Sequence, residues 1–227
     1  MSDYQFWDRV AETRWGKYLT GVERDVIIRA QQMCGAPTVA LDVGASGGRF
    51  SEFLAEHGWE IICTHINARS LKRCSERVPR ATCIRVDPRD TTLPCATESI
   101  DLLLCVEVFE VIPTAWFTSG ASRTLKSNGL TVGAFNNKLS WRGYIQHLLS
   151  VARNRFDCYS TAYYRWRREL RQAGFQMLLE EGLCWFPFLR TSNSPLVTFC
   201  TAAESQIGLR RLPVFSPWIV FAAQKNS

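Results

Sequence analysis

The apolar positions fall into two alternating patterns. Phe6, Trp7 and Val10, then Tyr18, Val22, Val26 and Ile27, recur at three- and four-residue steps. That spacing predicts helix over residues 3–34, with Gly16 and Gly21 as candidate breaks and Gly35-Ala36-Pro37 as the stop. Val39, Ala40, Leu41 and Val43 then form an apolar run of the kind a strand buried on both faces needs. Gly44, Gly47 and Gly48 crowd the next turn, and Phe50, Phe53 and Leu54 return to helical spacing. The stretch predicts a strand, a glycine turn and a helix.

The same alternation continues. Glu60–Thr64 predicts a second strand, residues 69–77 a polar surface helix stopped at Pro79, and Ala81–Val86 a third strand. A polar turn then leads into a buried fourth strand ending at Cys105. Helix follows over Trp116–Leu125, and a fifth strand over Leu130–Phe135, reached through Ser127-Asn128-Gly129, which tolerates positive φ. Trp141, Tyr144, Ile145, Leu148 and Leu149 make one helical stripe. Leu170-Arg171-Gln172-Ala173-Gly174-Phe175 ends a helix on glycine, before strands over Gln176–Cys184 and Pro217–Ala223. Residues 187–212 carry no clear pattern.

The glycine turn is where chemistry is expected, because backbone can approach a ligand there without a Cβ in the way. A dinucleotide turn reads G-x-G-x-x-G; here Ser46 and Arg49 stand at the second and third glycine positions. No Lys follows for a phosphate loop. Asp42 sits two residues before the first glycine, at the strand's end. Its carboxylate suits a cationic or hydroxyl-rich ligand that carries no phosphate.

Leu41-Asp42-Val43-Gly44-Ala45-Ser46-Gly47-Gly48-Arg49-Phe50-Ser51 resembles motif I, D-x-G-x-G-x-G, of the class I S-adenosylmethionine-dependent methyltransferases, most closely their type 11 domains. Ser46 replaces the central glycine. Leu93-Pro94 through Cys105 is similar to the family's L-P-f-p-d-g-s-F-D-l-v stretch. The resemblance implies an α/β fold, a three-layer Rossmann-like doubly wound sheet of seven strands with the last antiparallel, plus N-terminal helices and a helical lid. It implies a single domain over 1–227: a helical cap at 1–35, a cofactor-binding core at 38–135, a substrate lid at 139–171 and C-terminal strands at 172–227. In such a chain the N-terminal helices close over the cofactor, with Trp15 and Tyr18 as candidates to face it.

The implied cofactor is S-adenosylmethionine, bound by Asp42, Gly44, Ala45, Ser46, Gly48, His65, Ile66, Asp87 and Cys105. His65 stands where the family carries a ribose-binding acid, with Asn67 nearby to supply a second bond. Asp87, or Asp90 in its place, would accept the adenine amino group. Asp101 would hold the turn before its strand. The implied reaction is direct displacement of the methyl group onto a small-molecule or lipid- or sugar-precursor acceptor. The alternative is a binding module or pseudoenzyme of the same fold; a nicotinamide oxidoreductase lacks its fingerprint. The family's histidine after E-V-L-E is Val111 here. That leaves His147, Tyr144, Glu107 and Asn136 as candidate bases.

Composition narrows the partners. Net charge is +6 and 46% of the 227 residues are hydrophobic, a globular composition too mildly basic to argue for nucleic acid. Residues 139–171 interleave aromatics with Arg142, Arg153, Arg155, Arg165, Arg167, Arg168 and Arg171. These suit an anionic or lipid-linked acceptor and admit peripheral contact with a membrane surface. No apolar run reaches the ~18 residues a membrane span needs. The nine cysteines are scattered without a C-x-x-C, and only three histidines are present, so neither a metal site nor a disulfide framework is expected. Reduced thiols and the absence of a basic, apolar leader at Met1 lead to an expectation of cytoplasmic location.

Overall fold

A computed structural model describes residues 3–153, 159 and 161–227. Its centre is a seven-stranded sheet in the order β3-β2-β1-β4-β5-β7-β6. The strands are β1 (Val39–Val43), β2 (Glu60–His65), β3 (Thr82–Arg85), β4 (Ile100–Cys105), β5 (Leu125–Asn136), β6 (Phe175–Leu183) and β7 (Trp218–Lys225). β1 to β5 pair in parallel, while β7 lies antiparallel between β5 and β6. This is the doubly wound arrangement expected from the resemblance, last strand included.

The helices are α1 (Asp3–Glu12), α2 (Arg14–Met33), α3 (Arg49–Glu56), α4 (Ala68–Arg77), α5 (Ala115–Thr124), α6 (Trp141–Arg153), α7 (Tyr163–Gln172) and α8 (Leu196–Gln206). They cover both faces of the sheet, because its central strands are apolar on both sides. On one face Ala40, Leu102, Leu104, Val132 and Val220 pack against Val26, Ile27 and Leu54. On the other, Leu41, Leu103, Ile219 and Phe221 meet Phe117, Trp166 and Leu170. Leu102, Leu103 and Leu104 are wholly inaccessible. Each such side chain contributes about 1.5–3 kcal/mol to the fold by leaving water.

Local chemistry sets the breaks. The N-terminal helix divides at Thr13, not at either glycine. Thr13 Oγ1 accepts from the N–H of Gly16 at 3.0 Å and donates to the carbonyl of Val10 at 2.7 Å, capping α2 and closing α1 together. Gly16 instead permits close packing, since a Cβ there would lie 1.7 Å from the Val10 oxygen. The expected Ser-Asn-Gly turn survives inside the span of β5. Asn128 has φ of 65°, and the β4–β5 register breaks between Ile100 and Leu102. Asp101 braces this corner, accepting from Thr38 and from Lys126 Nζ at 2.7 Å.

Two segments depart from expectation. Residues 187–212 include α8, whose only buried positions are Val197 and Glu204. A helix so thinly anchored leaves no apolar period to read. The stripe on α6 is not a packed seam: Trp141, Tyr144, Ile145, Leu148 and Leu149 are between 39% and 66% exposed. The helix is held at its start instead. Ser140 Oγ caps it by accepting from Gly143 N–H at 3.0 Å, and Arg142 donates to the carbonyls of Phe186 and Phe188. Arg155 and the rest of 154–158 lie outside the described residues.

Candidate functional site

Strand order reverses between β2 and β4 on either side of β1, and ligands of open α/β sheets bind in the crevice at such a point. A cavity of about 620 Å³ opens there, at the carboxyl ends of β1, β2 and β4. Its floor is Asp42 and the Gly44–Gly47 turn. One wall is His65, Ile66, Val86 and Asp87; the other is Val106–Val108 with Glu110, Val111 and Trp116. Trp7 and Asp8 of α1 close it from the N-terminal side.

The turn is built for close approach. Gly44 has φ of 74°, and a Cβ on it would lie 2.5 Å from Val108 Cγ2. Gly44 and Ala45 donate their N–H groups to the carbonyl of Thr64, at 2.9 and 3.1 Å, which pins the turn to the end of β2. Those donors are therefore committed, and the turn offers shape rather than N–H groups at these two positions. Ser46 adopts φ of 50°, and its buried hydroxyl has no partner among the described residues.

Asp42 is 5% exposed and lines the cavity. Burial pushes its carboxyl up to about 6, against the hydrogen bond from Ser51 Oγ, at 2.6 Å, and the charge of Arg49, which pull it down. A buried, half-compensated carboxylate of this kind suits a cation or a pair of hydroxyls. Deeper in, Arg49 stands 3.5 Å from Glu23 and 3.6 Å from Glu107. Glu23 is inaccessible, and its oxygens make no hydrogen bond among the described residues. Burial first, then the neighbouring Glu107, push its carboxyl well up, while Arg49 and Arg190 pull it down. Glu107 has φ of 59°, a conformation costly outside glycine, and pairs on its far side with Arg190 at 3.6 Å. The Arg190 guanidinium lies 4.5 Å from the Trp7 ring and 4.7 Å from that of Trp218, which ties α1 to the sheet.

Asp42, Gly44, Ala45, Ser46, His65, Ile66 and Asp87 all line this cavity, and so does Asp90. Gly48 and Cys105 do not. Gly48, at φ of 78°, packs on Cys74 behind the turn, where an added Cβ would meet Cys74 Sγ at 2.8 Å, and Cys105 is wholly buried under the floor. His65 Nδ1 accepts from Asn67 N–H at 2.9 Å. Asn67 is occupied as the cap of α4, its side-chain oxygen accepting from Arg69 and Ser70 N–H. It therefore does not reach the cavity as a second hydroxyl ligand. Asp87 is held by Arg89 through its side chain and N–H, and those bonds lower its carboxyl below the ordinary range.

Of the candidate bases only Glu107 lines the cavity. Tyr144 is 66% exposed on α6, His147 lies on the same helix, and Asn136 is buried. Trp15 and Tyr18 likewise do not line the cavity. Trp15 stacks between Tyr18 and Phe188 in the core, and Tyr18 donates to Glu204 of α8. Trp7 takes the place expected of them. Trp7 and Arg190 were not legible as site residues. Trp7 lies in a helix with no distinguishing motif, and Arg190 in a stretch without pattern.

The donor set fits an adenosyl sulfonium. The Gly44–Gly47 turn keeps its side chains small, the Ser46 hydroxyl is buried without a partner among the described residues, and carboxylates at Asp42, Asp87, Asp90 and Glu107 surround a space large enough for a nucleoside.

Comparison with known proteins agrees. Residues 41–133 match a family described as a methyltransferase domain. An uncharacterized methyltransferase-like protein of Schizosaccharomyces pombe is 27% identical over 160 residues, which cover 67% of this chain. The match spans 59% of that relative's length. Among solved structures, an S-adenosylmethionine-dependent methyltransferase from Mesorhizobium loti superposes with a TM-score of 0.62 at 16% identity, covering 87% of this chain and 96% of that one. One from Archaeoglobus fulgidus gives 0.61 at 16%, covering 98% and 99%. At such identity the likeness is one of fold.

Proposed function

With a class I methyltransferase domain over residues 41–133 as the premise, we propose that the chain transfers a methyl group from S-adenosylmethionine to a small-molecule or lipid-linked acceptor. The observation that carries this reading is the buried Asp42 carboxylate beside a glycine turn in which Gly44 has no room for a Cβ. The cofactor supplies a methyl carbon already activated by a sulfonium cation. The protein's part is alignment and exclusion of water. Asp42 and His65 would meet the ribose side, with Asp87 or Asp90 at the adenine. Arg49 and Glu107, backed by the buried Glu23, would face the charged amino-acid end. Glu107 is the one candidate base that lines the cavity, and it is engaged on both sides by arginine. An acceptor that loses its proton before binding fits such a site better than one that needs a base.

The open apolar face of α6 favours an acceptor presented at a lipid surface. Reduced thiols and the lack of a membrane-spanning helix among the described residues are compatible with the expected cytoplasmic setting.

Titration calorimetry with S-adenosylmethionine and S-adenosylhomocysteine tests the reading. Saturable binding at micromolar to low millimolar ligand, lost in Asp42→Ala and Gly44→Val with the fold retained, supports it. No heat at millimolar ligand would favour the second reading, a binding module that has given up the cofactor. His65 at the ribose position and Ser46 in the turn are the residues that favour that alternative.

A further inference from the structure

Cys63 of β2, Cys74 of α4 and Cys83 of β3 are far apart in sequence, yet folding brings their sulfurs within 4.8 Å of one another. Cys63 and Cys74 are wholly buried, with their sulfurs 3.3 Å apart. Cys83 is half-buried and gives the group an edge towards solvent. We propose that these thiols form a structural site for a divalent thiophilic ion of the zinc class, behind the glycine turn and separate from the ligand cavity.

The geometry already suits an ion. With metal–sulfur bonds of about 2.3 Å, a tetrahedral or trigonal site places its sulfurs roughly 3.8–4.0 Å apart. The Cys63–Cys74 separation of 3.3 Å needs only a slight parting to reach that spacing, and the 4.8 Å limit on the group keeps Cys83 within reach. Soft thiolates in a buried apolar setting select zinc-like ions over hard cations. Charge decides between valences: three thiolates leave a net charge of −1 on a divalent ion and −2 on a monovalent one, and buried charge is costly. The Ser51 hydroxyl, wholly buried and 3.3 Å from Cys63 Sγ, is the oxygen nearest at hand as a fourth ligand. On binding, three S–H bonds break, three metal–sulfur bonds form, and the protons leave to solvent.

The position has a consequence for the site already described. Cys74 is the residue against which Gly48 packs, and Ser51 donates to Asp42. An ion there would clamp α4 to β2 and β3 and fix the turn from behind. This does not depend on the methyltransferase reading, since a protein that binds no cofactor could still take up the ion.

The test is metal titration of the reduced, metal-free full chain with Co²⁺, followed by displacement with Zn²⁺. The expected result is one ion per chain, with thiolate-to-cobalt charge-transfer absorption of three-sulfur intensity and release of about three protons. Cys83→Ser should weaken binding by more than the about 10–100-fold that loss of an outer-shell partner costs. Cys95→Ser and Cys200→Ser should leave it unchanged. Cys74→Ser should abolish the absorption; if it fails to fold, Cys83→Ser at the half-exposed edge carries the test. Absence of charge-transfer absorption in the wild type, or a band and affinity untouched by Cys83→Ser, would overturn the assignment.

Discussion

Asp42→Asn separates what stabilises this fold from what the site needs. Burial raises the Asp42 carboxyl from an ordinary 3.8 to about 6. A difference of roughly 2 in pKa corresponds to about 3 kcal/mol between the states at neutral pH. The sign follows from which state holds the proton. Below about pH 4 both folded and unfolded chains hold it, and the fold carries no penalty. Between about pH 4 and 6 the unfolded chain ionises while the folded one keeps its proton, so stability falls as pH rises. Above pH 6 the penalty is constant. Asparagine removes the charge and still offers an oxygen to Ser51, while its N–H groups turn to the cavity, where water can meet them. The variant should therefore be more stable than the wild type at pH 8, by up to about 3 kcal/mol, or about 6–12 °C in Tm for a chain of this size. That advantage should vanish near pH 4. Its affinity for S-adenosylmethionine should fall at least about tenfold, about 1.4 kcal/mol. Thermal or urea unfolding followed by tryptophan fluorescence at both pH values, with calorimetry for the cofactor, reads both quantities. A difference in stability that does not change with pH would refute the reasoning, as would undiminished cofactor affinity.

Other substitutions probe separate parts of the site. Arg49→Ala leaves Glu23 and Glu107 with Arg190 as their remaining cation and should destabilise the fold by about 1–3 kcal/mol. Adding Glu23→Gln should recover part of that loss in a denaturation series, and a double variant no more stable than Arg49→Ala would contradict the assignment. Gly44→Val puts a side chain into Val108 at a φ of 74°, so cofactor heat should disappear in calorimetry while circular dichroism still reports a folded chain. The α6 stripe predicts co-sedimentation with anionic vesicles, reduced severalfold by Ile145→Glu with Leu148→Glu. Equal sedimentation of variant and wild type would remove the lipid-surface part of the proposal.

Much of the fold was legible because its central strands are buried on both faces. For that reason Val39–Val43 and Ile100–Cys105 are apolar except for Asp42 and Asp101, and the glycine turn between β1 and α3 announces itself by composition. What could not be read depends on tertiary contact. α8 buries only two side chains and so carries no period, and the break between α1 and α2 rests on a threonine cap rather than on the glycines beside it. The stripe on α6 has the spacing of a packed helix yet stays open, because periodicity reports an amphipathic face and not what covers it.

The same distinction divides the site. Asp42 and Gly44 sit at a strand end and in its glycine turn, so local order singled them out, while Asp87 came from the resemblance; all three line the cavity. Arg190 reaches Glu107 and the Trp7 ring from a distant segment, and no spacing rule links those positions. The thiols of Cys63, Cys74 and Cys83 are the stronger case. Motif reasoning expects metal ligands in close pairs along the chain, and the nearest two of these are nine residues apart. Two parallel neighbours and the helix that joins them provide a different route. Cys63 and Cys83 are direct partners in the β2–β3 register, and α4 carries Cys74 across the same edge. A parallel crossover thus converts wide sequence spacing into one cluster. Cysteine counts that look scattered in an α/β chain are better tested by strand register than by distance along the sequence.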